Sequence, residues 1–209
     1  GNLGYAMGVA PGGDFSKNTL GDAGIYSVAV GYVFDEHIRV DLSLDYREGY
    51  SNEYIVQRDV VSGIYRSGEI KYATSIDKMI TKVSSLSSMV NFYYDIAEIN
   101  KITPYAMLGA GIVRNITDSQ GEIVSSDGED YHSYSVSRGT NINFAWKIGA
   151  GAQYKVNSIT NLDLRYQYVD LGKFKTGNIS IDNGYKEVSP NLEGKLKSHE
   201  VLVGVRYKF

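Results

Sequence analysis

Arg39, Asp41, Asp45 and Arg47 alternate with apolar residues in one short segment, and Lys147, Asp163, Arg165, Glu200, Arg206 and Lys208 recur the same way in three later ones. Charges of both signs on one side of several strands can do two kinds of chemistry. They can pair across strands and stiffen a closed barrel, or they can line a path for protons or ions. Buried charges left unpaired cost several kcal/mol each, and a barrel of eight strands is only wide enough for side chains to fill it. Arg39, Asp41, Asp45, Arg47, Lys147, Asp163, Arg165, Glu200 and Arg206 are therefore read as an ion-pair network inside a barrel.

Catalytic candidates are few. The histidines are His37, His132 and His199. His132 adjoins Ser133, but neighbours in an extended chain point to opposite faces, which suits a base and its nucleophile badly. Asp127, Glu129 and Asp130, with Asp118 and Glu122, could hold Ca²⁺, yet the EF-hand spacing is missing. The cluster reads as a solvated hairpin tip. With no cysteine there is no thiolate ligand or nucleophile. No catalytic residue, metal or cofactor is expected. Tyr50, Tyr54, Tyr65, Tyr72, Tyr131, Tyr134 and Tyr185 lie in or beside polar connections, where tyrosine offers contact area and a hydroxyl at low entropic cost. They are candidate contact residues, although they could equally pack the connections against one another.

The elements that must carry these residues are strands. In the stretch 199–209, Val201, Val203, Val205, Tyr207 and Phe209 point one way, while Glu200, Gly204, Arg206 and Lys208 point the other. Seven more segments alternate similarly, at about 3–9, 24–34, 38–47, 86–96, 103–114, 142–154 and 162–168. The connections between them run long, short, long, short, long, short, long. The long ones lie at about 11–21, 51–79, 115–140 and 173–196, with hairpin signals at Ser126-Asp127-Gly128-Glu129 and Asn183-Gly184, and a weak alternation over 64–72 around Ser67-Gly68 that would extend its hairpin above the membrane. Even strand number with short turns on one side and long loops on the other is the rhythm of a transmembrane barrel. The expected fold is a single all-β domain over 1–209, an eight-stranded antiparallel up-and-down transmembrane β-barrel with both termini on the short-turn, periplasmic side.

Composition agrees. No window approaches the roughly 20 apolar residues of a membrane helix, and mean hydropathy is only −0.24, as expected where alternation hides the apolar half of each strand. Tyr32, Phe34, Tyr94, Tyr154, Tyr207 and Phe209 fall at short-turn ends, and Tyr46, Trp146, Tyr166 and Tyr168 toward long-loop ends, giving two interfacial bands. Net charge is −3 without a basic run, which argues against nucleic acid. Gly1 begins in a strand-like pattern, so a leader is expected to have been removed or left out. A soluble lipocalin-like barrel would invert the faces. It would crowd Trp146, Phe144, Tyr166 and Phe209 into a narrow lumen and expose the Gly/Ala faces of the first, second and sixth segments.

The segments FDEHIRVDLSLDY (34–46), Pro104-Tyr105 with Gly109-Ala110-Gly111, WKIGAGAQY (146–154), LDLRYQYVDLG (162–172) and the ending HEVLVGVRYKF resemble the small eight-stranded outer-membrane barrels of Gram-negative bacteria, the opacity-protein and OmpX-like group. The resemblance covers the strands and little of the loops. Val201, Val203, Val205, Tyr207 and Phe209 look like the signal read by the barrel-insertion machinery. The resemblance implies an outer-membrane monomer with loops at the cell surface, and a role as an adhesin, host-factor-binding or serum-resistance protein. Its expected partners are outer-membrane lipid and a host surface or serum protein. A narrow pore and, further off, a lipid A-modifying enzyme are the alternatives.

Overall fold

The computed structural model describes residues 2–8, 21–64, 70–125, 131–177, 179–181 and 193–208, with side chains for 21–51, 80–120, 137–177 and 193–208. Among these are nine strands: β1 (Asn2–Gly8), β2 (Ala23–Val33), β3 (Ile38–Ile64), β4 (Ile70–Asp95), β5 (Ile102–Ser125), β6 (Tyr131–Lys155), β7 (Thr160–Lys175), β8 (Ile179–Ile181) and β9 (Glu193–Tyr207). β1 to β6 each pair antiparallel with the next, β7 pairs with β9 and β9 pairs back onto β1, so eight strands close a ring while β8 adds to the upper end of β6.

The register sets the geometry of the ring. Following paired residues once around from Val33 passes through Arg39, Tyr93, Met107, Gly149, Gln167, Glu200 and Ala6 and returns to Ala23 on the starting strand. A stagger of roughly ten residues over eight strands, at about 3.3 Å per residue and 4.8 Å between strands, tilts the strands by roughly 40°. That is the tilt of a membrane barrel.

The two faces are distributed as the alternation predicts. Along β9, Val201 and Val203 are 45% and 59% exposed, while Glu200 and Leu202 between them are 0% and 1% exposed. Val28, Val30, Leu42, Leu44, Val90, Leu108, Ile112, Phe144, Ile148 and Leu164 continue the outward apolar band around the ring. A contiguous band of that extent is foreign to the surface of a soluble protein. Exposed aromatics border it: Tyr32, Phe34, Tyr94, Tyr154 and Tyr207 below, and Tyr26, Tyr46, Trp146 and Tyr166 above.

At the lower end the turns are tight and closed by side chains. The Asp35 carboxylate accepts the N–H groups of His37 and Ile38, both at 2.7 Å. Asn157 Oδ1 does the same for Ile159 (3.0 Å) and Thr160 (2.8 Å). Asx turns of this kind let a strand reverse in few residues.

The upper end differs from the sequence expectation. Stretches 51–79 and 115–140 are largely paired strand. Pairing of β3 with β4 continues to Ile64 opposite Ile70, of β4 with β5 to Ser75 opposite Ser125, and of β5 with β6 to Val124 opposite Tyr131. β3 and β4 are 27 and 26 residues long, against about 10 needed to cross a bilayer. β3, β4, β5, β6 and β8 therefore continue above the ring as a sheet. The turns expected at Ser126–Glu129 and Asn183–Gly184 lie outside the described residues.

Candidate functional site

Two regions could carry function, the lumen and the upper sheet. The lumen is filled in three storeys. In the lowest, Arg39 grips Asp95 bidentately, with both N···O distances 2.6 Å. The Arg39 guanidinium also lies over Tyr93 and Tyr105, 4.6 and 5.1 Å from their ring centroids. Arg206 reaches Tyr93 from the other side at 5.5 Å. Gln153, turned so that its amide oxygen faces the guanidiniums, accepts from Arg39 at 2.9 Å and from Arg206 at 3.2 Å. Tyr105 donates to Asp163 (2.8 Å), and Arg165 donates to Tyr93 (3.2 Å).

The middle storey joins distant strands. Asp45 accepts from Ser27 (2.6 Å) and from Lys147 (3.0 Å), tying β3 to β2 and β6. Arg47 meets Glu200 through Nε and Nη2 at 2.6 and 3.1 Å, and Glu200 also accepts from Gln167 and Ser198 at 2.6 and 2.7 Å. Asn91 donates to Asp41 (2.6 Å) and Ser43 (3.0 Å). Gly109 makes room for this traffic, since a Cβ there would collide with Asn91 and press on the Lys147 side chain. The lumen charges balance: Arg39, Arg47, Lys147, Arg165 and Arg206 face Asp41, Asp45, Asp95, Asp163 and Glu200.

The top storey is uncharged but mixed, with Thr81, Ser85, Asn115, Thr117 and Ser119 buried beside apolar side chains. Ile25, Tyr50, Val83, Val113, Leu171, Phe174 and Leu196 are all 1% exposed or less. These side chains fill the upper lumen, which leaves no open path for a hydrated ion.

Each lumen residue expected from the sequence has a described side chain, and all nine sit on the inward side, Asp41 and Arg206 less deeply than the rest. Lys208 does not join them. It is exposed beyond the end of β9, and its N–H donates to the Ile159 carbonyl at 2.8 Å. Tyr50, expected to be a loop contact, is fully buried. The register slips between Arg47 and Tyr50, where Gly49 has φ +118°, and this bulge turns Tyr50 into the lumen. Tyr54, Tyr72, Tyr131 and Tyr134 lie on strands of the upper sheet, while Tyr65 and Tyr185 fall outside the described residues. Val201, Val203 and Val205 line the outward side of β9 with Tyr207, and Phe209 lies outside the described residues. Among partners the sequence reading missed, Asp95 is the plainest. It lies within the segment expected at 86–96 and continues the inward parity of Tyr93 and Asn91, but is not counted among the expected lumen charges.

Neither a metal cluster nor a catalytic constellation is present among the described residues. No group of three His, Asp or Glu side chains could hold an ion. His199 faces outward, its Nδ1 2.6 Å from the Tyr166 hydroxyl.

The geometry up to this point is that of a lipid-facing barrel. Over residues 1–209 the chain matches the family described as outer membrane protein beta-barrel domain. The chain belongs to that family. As a member of it, this β-barrel resides in the bacterial outer membrane. An uncharacterized protein of Brucella abortus (strain 2308) is 28% identical over 88% of this chain and 68% of its own length. The 31 kDa outer-membrane immunogenic protein of Brucella melitensis is 41% identical, but over 31% of this chain and 23% of that protein. Among solved structures, Neisserial surface protein A superposes with a TM-score of 0.51 at 15% identity, covering 100% of this chain and 96% of that one. That likeness shows the fold.

Proposed function

We propose that the barrel is a closed scaffold and that its work is done by the upper sheet, as a surface adhesin or host-factor-binding protein, serum factors included. The observation that carries this reading is the division of labour. The lumen is plugged by a neutral ionic network under a packed, uncharged layer, while four strands run far past the length a membrane needs. At about 3.3 Å per residue, the excess of β3 and β4 over the about 10 residues of a crossing amounts to roughly 55 Å along the strands.

The sheet also offers a means of contact. β2 accompanies β3 only as far as Glu48, with one further bond from Gly21 N–H to Ser51. Beyond Ser51 the outer edge of β3 has no strand partner among the described residues. Such an edge can take up an extended segment of another protein through main-chain hydrogen bonds. Tyr54, Tyr72, Tyr131 and Tyr134 lie on strands of this sheet and would supply side-chain contacts. The name of the Brucella melitensis relative, an immunogenic protein, fits a surface reached by antibodies.

On this reading the protein is a monomer in lipid, delivered by the barrel-insertion machinery through the outward apolar residues of β9, and it is neither a pore nor a lipid A-modifying enzyme. Cutting the sheet back at the pair Asn52 and Thr81 should leave heat-modifiable folding intact and abolish binding of displaying bacteria to host cells or serum proteins. Unchanged binding by the shortened protein would overturn the proposal.

A further inference from the structure

The outward face of β6, β7 and β9 carries a cluster of rings at the upper edge of the apolar band. Trp146 and Tyr168 have centroids 5.7 Å apart, Tyr168 and His199 5.1 Å, and His199 stacks on Tyr166 at 6.0 Å with an interplanar angle of 18°. The Tyr166–His199 hydrogen bond locks two of these rings together.

Directly above stand four lysines. Lys197 lies opposite Asp170 in the register and Lys195 opposite Lys173, with Lys175 next along β7. Two like charges directly across a strand pair repel. The carboxylates present do not balance them. Glu193 is shared between Lys175 (2.6 Å) and Lys173 (3.5 Å), and Asp170 meets Lys197 at 3.5 Å. Among the described residues, four cations against two anions leave an excess of positive charge over the ring cluster. The opposite side of the barrel shows the reverse at this height, where Asp22 and Glu48 are exposed above Tyr26 and Tyr46.

An aromatic cluster in the interfacial zone, Tyr168 tilted by 55° to both Trp146 and His199, with ammonium groups in excess above it matches one membrane component by chemistry: a sugar ring to pack on the rings, phosphate to pair, and acyl chains to lie along the apolar band below. We infer that the β6–β7–β9 face binds the phosphorylated glucosamine headgroup of the outer-leaflet glycolipid, with Trp146, Tyr168 and His199 under the sugar and Lys195, Lys197 and Lys173 on the phosphate. This does not depend on the upper sheet having a host partner. It makes one side of the barrel a fixed lipid site and so orients the sheet relative to its lipid neighbours.

Trp146 is the sole tryptophan of the chain, so the protein carries its own reporter within the site. The full chain is refolded into phosphatidylcholine nanodiscs, and Trp146 emission is followed as bisphosphorylated lipid A is added in increasing mole fraction. A saturable change is expected, with half-saturation moved at least tenfold by removing the lipid phosphates or by Lys195→Glu with Lys197→Glu. Lys82→Glu with Arg114→Glu, on the β4–β5 side, should leave the curve in place. Heat-modifiable migration checks that each variant is folded. Tyr168→Ala should weaken binding with all charges kept. Three results would each overturn the inference: an equal response to dephosphorylated lipid A, an equal response to phosphatidylglycerol, or equal sensitivity to the β4–β5 variant.

Discussion

Removing Glu200 should be among the most damaging single changes in the lumen. Its carboxylate and the Arg47 guanidinium are both fully buried, joined by contacts of 2.6 and 3.1 Å between β3 and β9. Glu200→Ala leaves Arg47 in the lumen with only Asp45 as a nearby anion, at 3.7 Å, and Asp45 is already committed to Lys147 and Ser27. Breaking a buried pair by deleting one partner costs about 3–5 kcal/mol. Gln167 and Ser198 lose their acceptor as well, which favours the upper part of that range. With a urea slope of about 2 kcal/mol per M, the unfolding midpoint in phospholipid vesicles should fall by about 1.5–2.5 M, read by Trp146 fluorescence and gel migration. Replacing both members, Arg47→Met with Glu200→Met, should return stability to within about 1 kcal/mol of the parent, because no uncompensated charge then remains. A cost below about 1 kcal/mol for Glu200→Ala would mean that water solvates Arg47, and the closed-lumen account would fail with it.

Further outcomes follow from the same geometry. Leu108→Arg, near the middle of the apolar band, should cost about 2–4 kcal/mol in vesicle unfolding, and Ile142→Arg, near its upper edge, about 0–1 kcal/mol. Wild-type protein in planar bilayers should show no steady unitary conductance, and Tyr50→Ser combined with Phe174→Ser should introduce one by removing the bulk that fills the top storey. Below the membrane, the backbone N–H donors of His37 and Ile38 hold the Asp35 carboxyl below the usual carboxylate range. Its folded value lies under its unfolded one, so this turn contributes fully above the unfolded value and weakens as pH falls through the folded value. Asp35→Asn should remove that acid dependence, as seen by NMR of the 34–38 amides between about pH 5 and pH 2.

Much of this molecule can be read in its sequence because period two survives wherever a strand crosses lipid. Val201, Leu202 and Val203 are all apolar, and only the parity of Glu200, Gly204 and Arg206 shows that Leu202 faces inward. Parity fails where the backbone slips. Tyr50 lies four residues beyond outward-facing Tyr46, and counting by twos would put it outside; the bulge at Gly49 reverses it. Phe174 is read as a loop residue for a related reason, since the register slips between Asp170 and Lys173, with Gly172 at φ +71°. The upper sheet is only faintly legible, as the weak alternation over 64–72, because a two-sided polar strand carries little periodic signal above the membrane. The candidate site fared less evenly. Charged lumen residues declare themselves by parity, but partner choice does not. The pairing of Arg39 with Asp95 and of Arg47 with Glu200 depends on stagger around the ring, which no single segment encodes.

The account rests on which side of each strand meets hydrocarbon and on the inside being closed to water. The chain has no cysteine, so single cysteines at Val201, Leu202, Val203, Leu108 and Val113 can carry nitroxide labels one at a time in vesicles. Labels at 201, 203 and 108 should collide freely with oxygen, while those at 202 and 113 should be shielded from oxygen and from a water-soluble nickel chelate alike. Free access of the chelate to 202 and 113, or oxygen contact at those positions in place of 201 and 203, would contradict it.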